Sequence, residues 1–369
     1  MAADLTIPAT PQELTPEWLT AALRDTGTIK NATVTSFDME PDIAAGVGFM
    51  GQLARVAPRY DQPEEGAPQS LIAKFPTHAP ENREIADAFR FYEIETRFYE
   101  EIAGEVELRT PRRYYSAMAA DSSDFILLLE DLAPARVADQ VTGCTAEQAD
   151  LAIRELAKFH ATWWEHPRLA TLDWLWPMNH PVRAQASQDS YQQAWGPFVE
   201  NFEKAVPSDI LELGEKFGSR VATLLDRLAE PPVTISHGDY RLDNLFFATP
   251  EGGDPIAVVD WQIVSRGRSM FDVAYFMTGT LPPAERKAKE MEILHMYHDI
   301  LTERGVRNFD FDQCLLDYRV STLFCWLYAV IILGSLDVTN ERGLALFTAN
   351  LERNVAALAD LNAAELLPD

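Results

Sequence analysis

The pattern of apolar and polar positions changes character part-way along the chain. Up to about residue 132, apolar stretches are short and strand-like; beyond it they lengthen and take a helical period. Thr15-Pro16-Glu17 predicts a short helix with a capping hydroxyl, a proline in the first turn and an early acid. ATVTSFDME from Ala32, QLARVA from Gln52 and SLIAKF from Ser70 predict strands, the last two flanking a turn-rich DQPEEGAPQ loop. Glu81 to Ile102 predicts one strongly charged helix, and RRYYSAM and DFILLLEDL predict two further strands. Thr145-Ala-Glu-Gln148 reads as a capping box. The helix it opens should bury Leu151, Leu156, Phe159 and Trp163. Two short β-like runs, NLFFA and PIAVVDW, interrupt the helices that follow. The fold class expected is α+β: residues 1–30 a leader with a short helix, 31–132 a small β-rich lobe, and 133–369 a larger, mainly helical lobe.

Composition narrows the picture. Apolar residues make up 47% of 369, enough for two sizeable cores. A net charge of −26 argues against a nucleic-acid partner and against an anionic membrane surface. A cationic ligand would suit it, but a solvated acidic surface is the plainer reading. Cys144, Cys314 and Cys325 form no C-x-x-C pair, so neither a disulfide framework nor a zinc site is expected, and a reducing cytoplasm fits. The first residues carry neither the basic nor the apolar region of a signal peptide. The longest uncharged run, Val320 to Leu336, is short of the ~20 residues of a membrane span and reads as a buried core helix.

Chemistry concentrates in His237-Gly238-Asp239-Tyr240-Arg241-Leu242-Asp243-Asn244. The catalytic loop of kinases is H-R-D-x-x-x-x-N, its aspartate taking the acceptor's proton and its asparagine holding Mg²⁺. Asp239 and Asn244 stand at that spacing, with glycine in place of arginine. Phosphoryl transfer is mainly positioning and charge neutralisation, so a base and a metal ligand on one loop serve it. Asp260 ends the apolar run IAVVD and matches the second metal-holding aspartate. Lys74 lies inside the apolar run LIAKF, where an unpaired ammonium is costly. It either snorkels from an edge or holds ATP phosphates beside a glutamate of the next helix. Glu95 is the favoured partner, with Glu93 and Glu100 as rivals. Gly46, Gly48 and Gly51 form a G-x-G-x-x-G that leads into a strand and a hairpin. A dinucleotide-binding motif would lead straight into a helix. Glu130, Asp131 and Leu132 close the last strand of the small lobe, where backbone groups of a kinase hinge meet adenine.

This order of parts resembles the aminoglycoside phosphotransferase/choline kinase-like family, and within it the ecdysteroid-kinase-like and related bacterial phosphotransferases. HGDYRLDNLFF, VVDWQ, LEDL, KFHATWW and the segment from Gly267 to Ala274 carry the resemblance, over roughly residues 45–280. It implies a protein kinase-like two-lobe fold, ATP and Mg²⁺, Asp239 as base and Asn244 with Asp260 on the metal. It also implies that His237 and Asp272 hold loops. His160 is expected to be packed within its helix.

Only eleven residues separate Asp260 from Asp272 and no A-P-E follows, leaving little room for a peptide platform. The expected partner is therefore a small molecule bearing a hydroxyl, bound by the helical lobe. Trp174, Trp176, Trp195, Trp326 and Tyr328 are candidates for its lining, each otherwise a core residue. A nucleotide-binding pseudokinase is the rival reading. A metal hydrolase built on His237, Asp239 and Asp260 would need histidines more closely grouped than these seven.

Overall fold

The computed structural model describes residues 5–43, 50–119, 122–335 and 341–368, with the side chains of 341–347 excepted. Gly46 and Gly48 lie outside the described residues. The chain forms two compact units, Met1–Glu105 with Arg109–Pro134, and Val106–Leu108 with Ala135–Asp369.

The first unit holds α1 (Pro16–Asp25), β1 (Val34–Glu40), β2 (Gly51–Tyr60), β3 (Leu71–Pro76), α2 (Pro80–Ala88), α3 (Phe91–Glu101), β4 (Arg113–Met118) and β5 (Phe125–Glu130). The strands make one antiparallel sheet in the order β1-β2-β3-β5-β4. On β3 the pleat sends Leu71, Ala73 and Phe75 into a core shared with Leu19 and Leu23 of α1 and Ile126 and Leu128 of β5. The same alternation turns Lys74 to the opposite face. Leu14 and Ile29 join that core, so the segment read as a leader is structurally part of this unit. Thr15 Oγ1 accepts from Trp18 N at 3.1 Å and starts α1. The single helix expected over 81–102 is two helices. Arg90, at φ +58°, adopts a left-handed conformation that no helix can continue through.

The second unit contains β6 (Arg136–Val137), α4 (Ala146–Trp163), α5 (Pro181–Phe202), α6 (Ser208–Phe217), α7 (Val221–Leu228), β7 (Thr234–Ser236), β8 (Leu245–Thr249), β9 (Gly252–Val258), β10 (Ser265–Gly267), α8 (Met270–Thr280), α9 (Pro283–Glu303), α10 (Phe311–Ser335) and α11 (Glu341–Asp360). Thr145 and Gln148 form both halves of the capping box on α4. Leu156, Phe159 and Trp163 are buried; Leu151 is only half-buried. NLFFA and PIAVVDW become the β8–β9 hairpin, with β6 on its edge, and β7 pairs with β10. By length and composition α10 could cross a membrane, yet 67% of its most apolar window is buried, as in a core helix. It lies tightly against α5. A Cβ at Gly334 would sit 2.2 Å from the Ala194 carbonyl, and Trp326 Nε1 donates to the Tyr191 hydroxyl at 3.0 Å.

Candidate active site

In the first unit, Lys74 Nζ lies 2.6 Å from Glu95 Oε2, their side chains 10% and 2% exposed. Strand alternation aims Lys74 away from the apolar core, and α3 supplies the carboxylate that makes its burial tolerable. The rivals are engaged elsewhere: Glu93 accepts from Arg90, and Glu100 from the Ser116 hydroxyl. Gly51 sits beside this pair. A Cβ there would stand 3.0 Å from the Phe75 carbonyl and 3.3 Å from Lys74 Cε, so a larger residue would have to press on both. At the end of β5, Glu130 accepts from Arg109 and from the Arg112 amide. Asp131 accepts from Ser70, Arg55 and the Ala133 amide. These carboxylates hold their own unit together.

In the second unit, β7 delivers His237 into a tight loop. Asp272, fully buried on α8, accepts from the His237 amide at 2.7 Å and the Gly238 amide at 2.9 Å. Its Oδ2 also lies 3.1 Å from Nε2 of His160, whose Nδ1 meets the Tyr297 hydroxyl at 2.7 Å. Burial works to raise the Asp272 carboxyl, but His160, then His237 and the Gly238 amide, hold it below the usual range. His160 is thus a buried brace for Asp272. His237 Nδ1 accepts from the Asp239 amide at 3.2 Å, which leaves the proton on Nε2, donated to the Val259 carbonyl at 3.0 Å. Gly238 shows why the kinase arginine is absent. Its φ is +87°, and a Cβ would stand 2.7 Å from the Ile263 carbonyl.

This frame presents Asp239. Its carboxylate accepts from Arg241 Nε at 3.1 Å and from Asn244 Nδ2 at 2.9 Å. Burial opposes ionisation, yet Arg241 and His237 hold the carboxyl below its ordinary value, so it stays a carboxylate. Arg241 also binds Asp243 at 2.6 Å. Burial first, then the adjacent Asp239 carboxylate, push the Tyr275 phenol well above its usual range. The Asn244 carbonyl accepts from the Val259 amide at 3.0 Å, which ties the end of this loop to the residue before Asp260. Asp260 itself has φ +66°, a turn that lifts its side chain out of the β9 line. Trp261 is buried against His237, with ring centroids 4.5 Å apart.

Sequence reasoning missed the residues that hold or face this loop from afar. Gln140 receives the Leu242 amide at 2.9 Å and donates to the Gly279 carbonyl at 2.8 Å. Arg353 of α11 binds the Gln140 carbonyl at 2.9 Å. No motif spacing signals these contacts. Trp174, Trp176 and Trp326 are buried core, Trp195 stacks on Tyr191, and Tyr328 alone of the five aromatics meets Tyr275, at 5.5 Å. A concavity lined by Glu165, His166, Asn179, Pro231 and Arg266 includes none of the predicted site residues.

The sequence model of the ecdysteroid kinase-like family matches residues 45–307. Among solved structures, a proposed aminoglycoside phosphotransferase of Ralstonia eutropha superposes with a TM-score of 0.55 at 16% identity, over 95% of this chain and 98% of that one. The GDP and kanamycin complex of an aminoglycoside phosphotransferase gives 0.52 at 13% identity, over 91% and 97%. These likenesses establish the fold. Mouse acyl-CoA dehydrogenase family member 10 is 50% identical over 42 residues, so this chain spans only 4% of the curated relative it matches.

Proposed function

Since the chain belongs to the ecdysteroid kinase-like family, we propose that this phosphotransferase-type protein moves the γ-phosphate of ATP, with Mg²⁺, to a hydroxyl of a small molecule. The observation that carries the reading is the setting of Asp239. A carboxylate kept ionised by Arg241, and oriented by Asn244 from the same loop, is fitted to accept a proton from an approaching hydroxyl.

The donor set suits Mg²⁺. Among the described residues no three His, Cys, Asp or Glu side chains group as a metal cage, which a zinc or iron hydrolase would need. Mg²⁺ is held by one or two protein oxygens together with substrate phosphates. Asp260 offers a carboxylate. Asn244 spends its Nδ2 on Asp239, which orients its Oδ1 as the amide's ligating atom. Bound there, Mg²⁺ would neutralise phosphate charge. Lys74, oriented by Glu95, would bind phosphate oxygens. The donor is read as a nucleotide partly through the fold shared with a phosphotransferase solved with GDP and kanamycin. The short span from Asp260 to Asp272 supports a small acceptor.

The test is a thermal-shift series with ATP, GTP and EDTA, followed by ADP release with Mg-ATP against a library of hydroxylated compounds. At about a hundred times its dissociation constant, a ligand that binds only the folded state adds ~2.7 kcal/mol. No shift with any nucleotide and metal would remove the kinase reading. A shift without turnover on any acceptor would favour a nucleotide-binding regulator.

A further inference from the structure

Across α5, α8 and α10 of the second unit runs a line of polar side chains that the phosphotransfer parts leave unused. Tyr275 on α8 lies beside the Asp239 carboxylate. Its ring meets that of Tyr328 on α10 edge-on at 5.5 Å. Tyr328 in turn lies within electrostatic reach of both Asp239 and Arg183, the third residue of α5. Arg183 is partly exposed as a residue, but its Nη2 is enclosed and has no hydrogen-bond partner among the described residues. Burial pushes the guanidinium down, and only the Tyr328 phenol opposes that push.

Other buried arginines of this unit have acids or carbonyls as partners, although Arg268 and Arg286 each also keep an enclosed Nε without an acceptor. Arg241 has Asp239 and Asp243, Arg268 has Asp317, and Arg286 has Glu290 and Asp360. Arg353, which has no acid at its guanidinium, spends it on three backbone carbonyls. In a chain of net charge −26, acids are plentiful, yet among the described residues none pairs with Arg183. An enclosed guanidinium nitrogen without an acceptor carries a free-energy cost that a bound anion would remove. The planar fork fits a carboxylate with two parallel hydrogen bonds.

We propose that Arg183 is the anchor of the acceptor subsite and that the acceptor is a hydroxylated carboxylic acid, its carboxylate on Arg183 and its hydroxyl turned to Asp239. Tyr328 and Tyr275 form the wall between the two ends, apolar by ring and polar by hydroxyl. This rests on the phosphotransferase reading for the role of Asp239, but the Arg183 anchor is a binding claim in its own right. It selects against amino alcohols and aminoglycosides, whose cations Arg183 would repel. No covalent chemistry falls to Arg183: the hydroxyl proton goes to Asp239, the γ-phosphoryl group passes to the hydroxyl oxygen as its bond to the β,γ-bridging oxygen of ATP breaks, and ADP leaves.

The experiment uses the full chain and a series of ω-hydroxy carboxylates from glycolate to ω-hydroxylaurate, with matching methyl esters, diols and amino alcohols. Binding is read by calorimetry in the presence of a non-hydrolysable ATP analogue and Mg²⁺, and turnover by ADP release. The wild-type protein should bind at least one acid about ten- to a hundredfold tighter than its ester, the effect of losing a hydrogen bond to a charged group. Arg183→Gln should erase that difference, and Arg183→Lys should restore part of it. Circular dichroism checks that both variants fold. Equal binding of acids, esters and amino alcohols would overturn the proposal, as would acid selectivity that survives in Arg183→Gln. Acid-selective binding with no ADP formed would sink the phosphotransfer reading and leave the anchor standing. ADP formed as readily from diols as from acids would do the reverse.

Discussion

In the first unit one cation meets one carboxylate: Lys74 on a strand and Glu95 on a helix, 2.6 Å apart and largely withdrawn from water. In the second unit, the acid that does the holding is not the acid proposed to face the acceptor. Asp272 gathers two backbone amides and His160 at the base of the loop, while Asp239 stands at its tip between Arg241 and Asn244. In the sheet, charge and position are supplied by the same pair, since each partner rides on a regular element. A loop has no such support, so a second carboxylate must fix its backbone before the first can be aimed. The lesson is that a buried acid near a reactive one need not share its chemistry.

The largest effect expected separates Asp239 on the loop from Asp260 after β9. Asp239→Asn should cut turnover by about 10²–10⁴-fold, the loss of a general base, while nucleotide affinity stays close to wild type. Asp260→Asn should weaken Mg²⁺-dependent nucleotide binding together with turnover. Calorimetry with and without Mg²⁺, alongside steady-state rates, decides this. If Asp239→Asn abolished nucleotide binding and Asp260→Asn spared both, the roles assigned to the loop would be reversed.

Asp272→Ala should act on the fold. Removing one member of a buried, hydrogen-bonded ionic group costs about 3–5 kcal/mol, read as a fall in urea midpoint at unchanged slope. Glu95→Gln should cost less stability, because the Lys74 ammonium retains some contact with solvent, and should mimic Lys74→Ala in nucleotide affinity. Glu93→Gln should do neither, its carboxylate being committed to Arg90. Equal destabilisation by Asp272→Ala and Glu95→Gln would erase the distinction between pair and frame.

A pH series sharpens the same contrast. Asp239 and Asp272 both have folded-state values held below the ordinary carboxylate. Their contribution to stability is therefore complete above the unfolded value of about 3.9, and is lost as pH falls below it through the folded values. The urea midpoint should be nearly flat from about pH 7 to pH 5 in so far as these two groups set it, then drop steeply below about pH 4. The drop should be shallower in Asp272→Ala. A midpoint that declined already near neutrality in the wild type alone, and not in Asp272→Ala, would contradict the assigned direction. Smallest of all, Thr145→Ala should cost ~1 kcal/mol through the lost cap on α4, and leave the loop untouched.

How much of this was legible in the sequence depends on what fixed each contact. His237 through Asn244 could be read because covalent spacing along one loop fixes which side chains share it. Lys74 and Glu95 could be read because a charge in an apolar strand demands a partner, and the next helix is the nearest source. The second unit's small strands were legible only where apolar runs were long enough, as in β8 and β9; β6, β7 and β10 span two or three residues each. The break at Arg90 was hidden because nothing in FRFYE forbids a helix; in the structure the Arg90 guanidinium binds Glu93 on the first turn of α3. Gln140, Arg353 and Tyr275 reach the loop, directly or through a neighbour, by long-range folding, and ordinary residue types at unremarkable spacings give no sign of it. Gly46 and Gly48, read as part of a phosphate-binding turn, lie outside the described residues.

One consequence of α10 concerns synthesis. A helix that is uncharged from Val320 to its end is the kind of stretch that chaperones and aggregating neighbours recognise when it leaves the ribosome uncovered. Here α5 and α8, two of the helices it lies against, are both made before Phe311, while α11, which also packs on it, follows. The nascent helix therefore meets surfaces already waiting for it, and Gly334 lets it seat directly on the Ala194 backbone. Moving this segment ahead of α5 by circular permutation would keep every native contact and still lower the yield of folded protein, because the same helix would then wait for its partners in water.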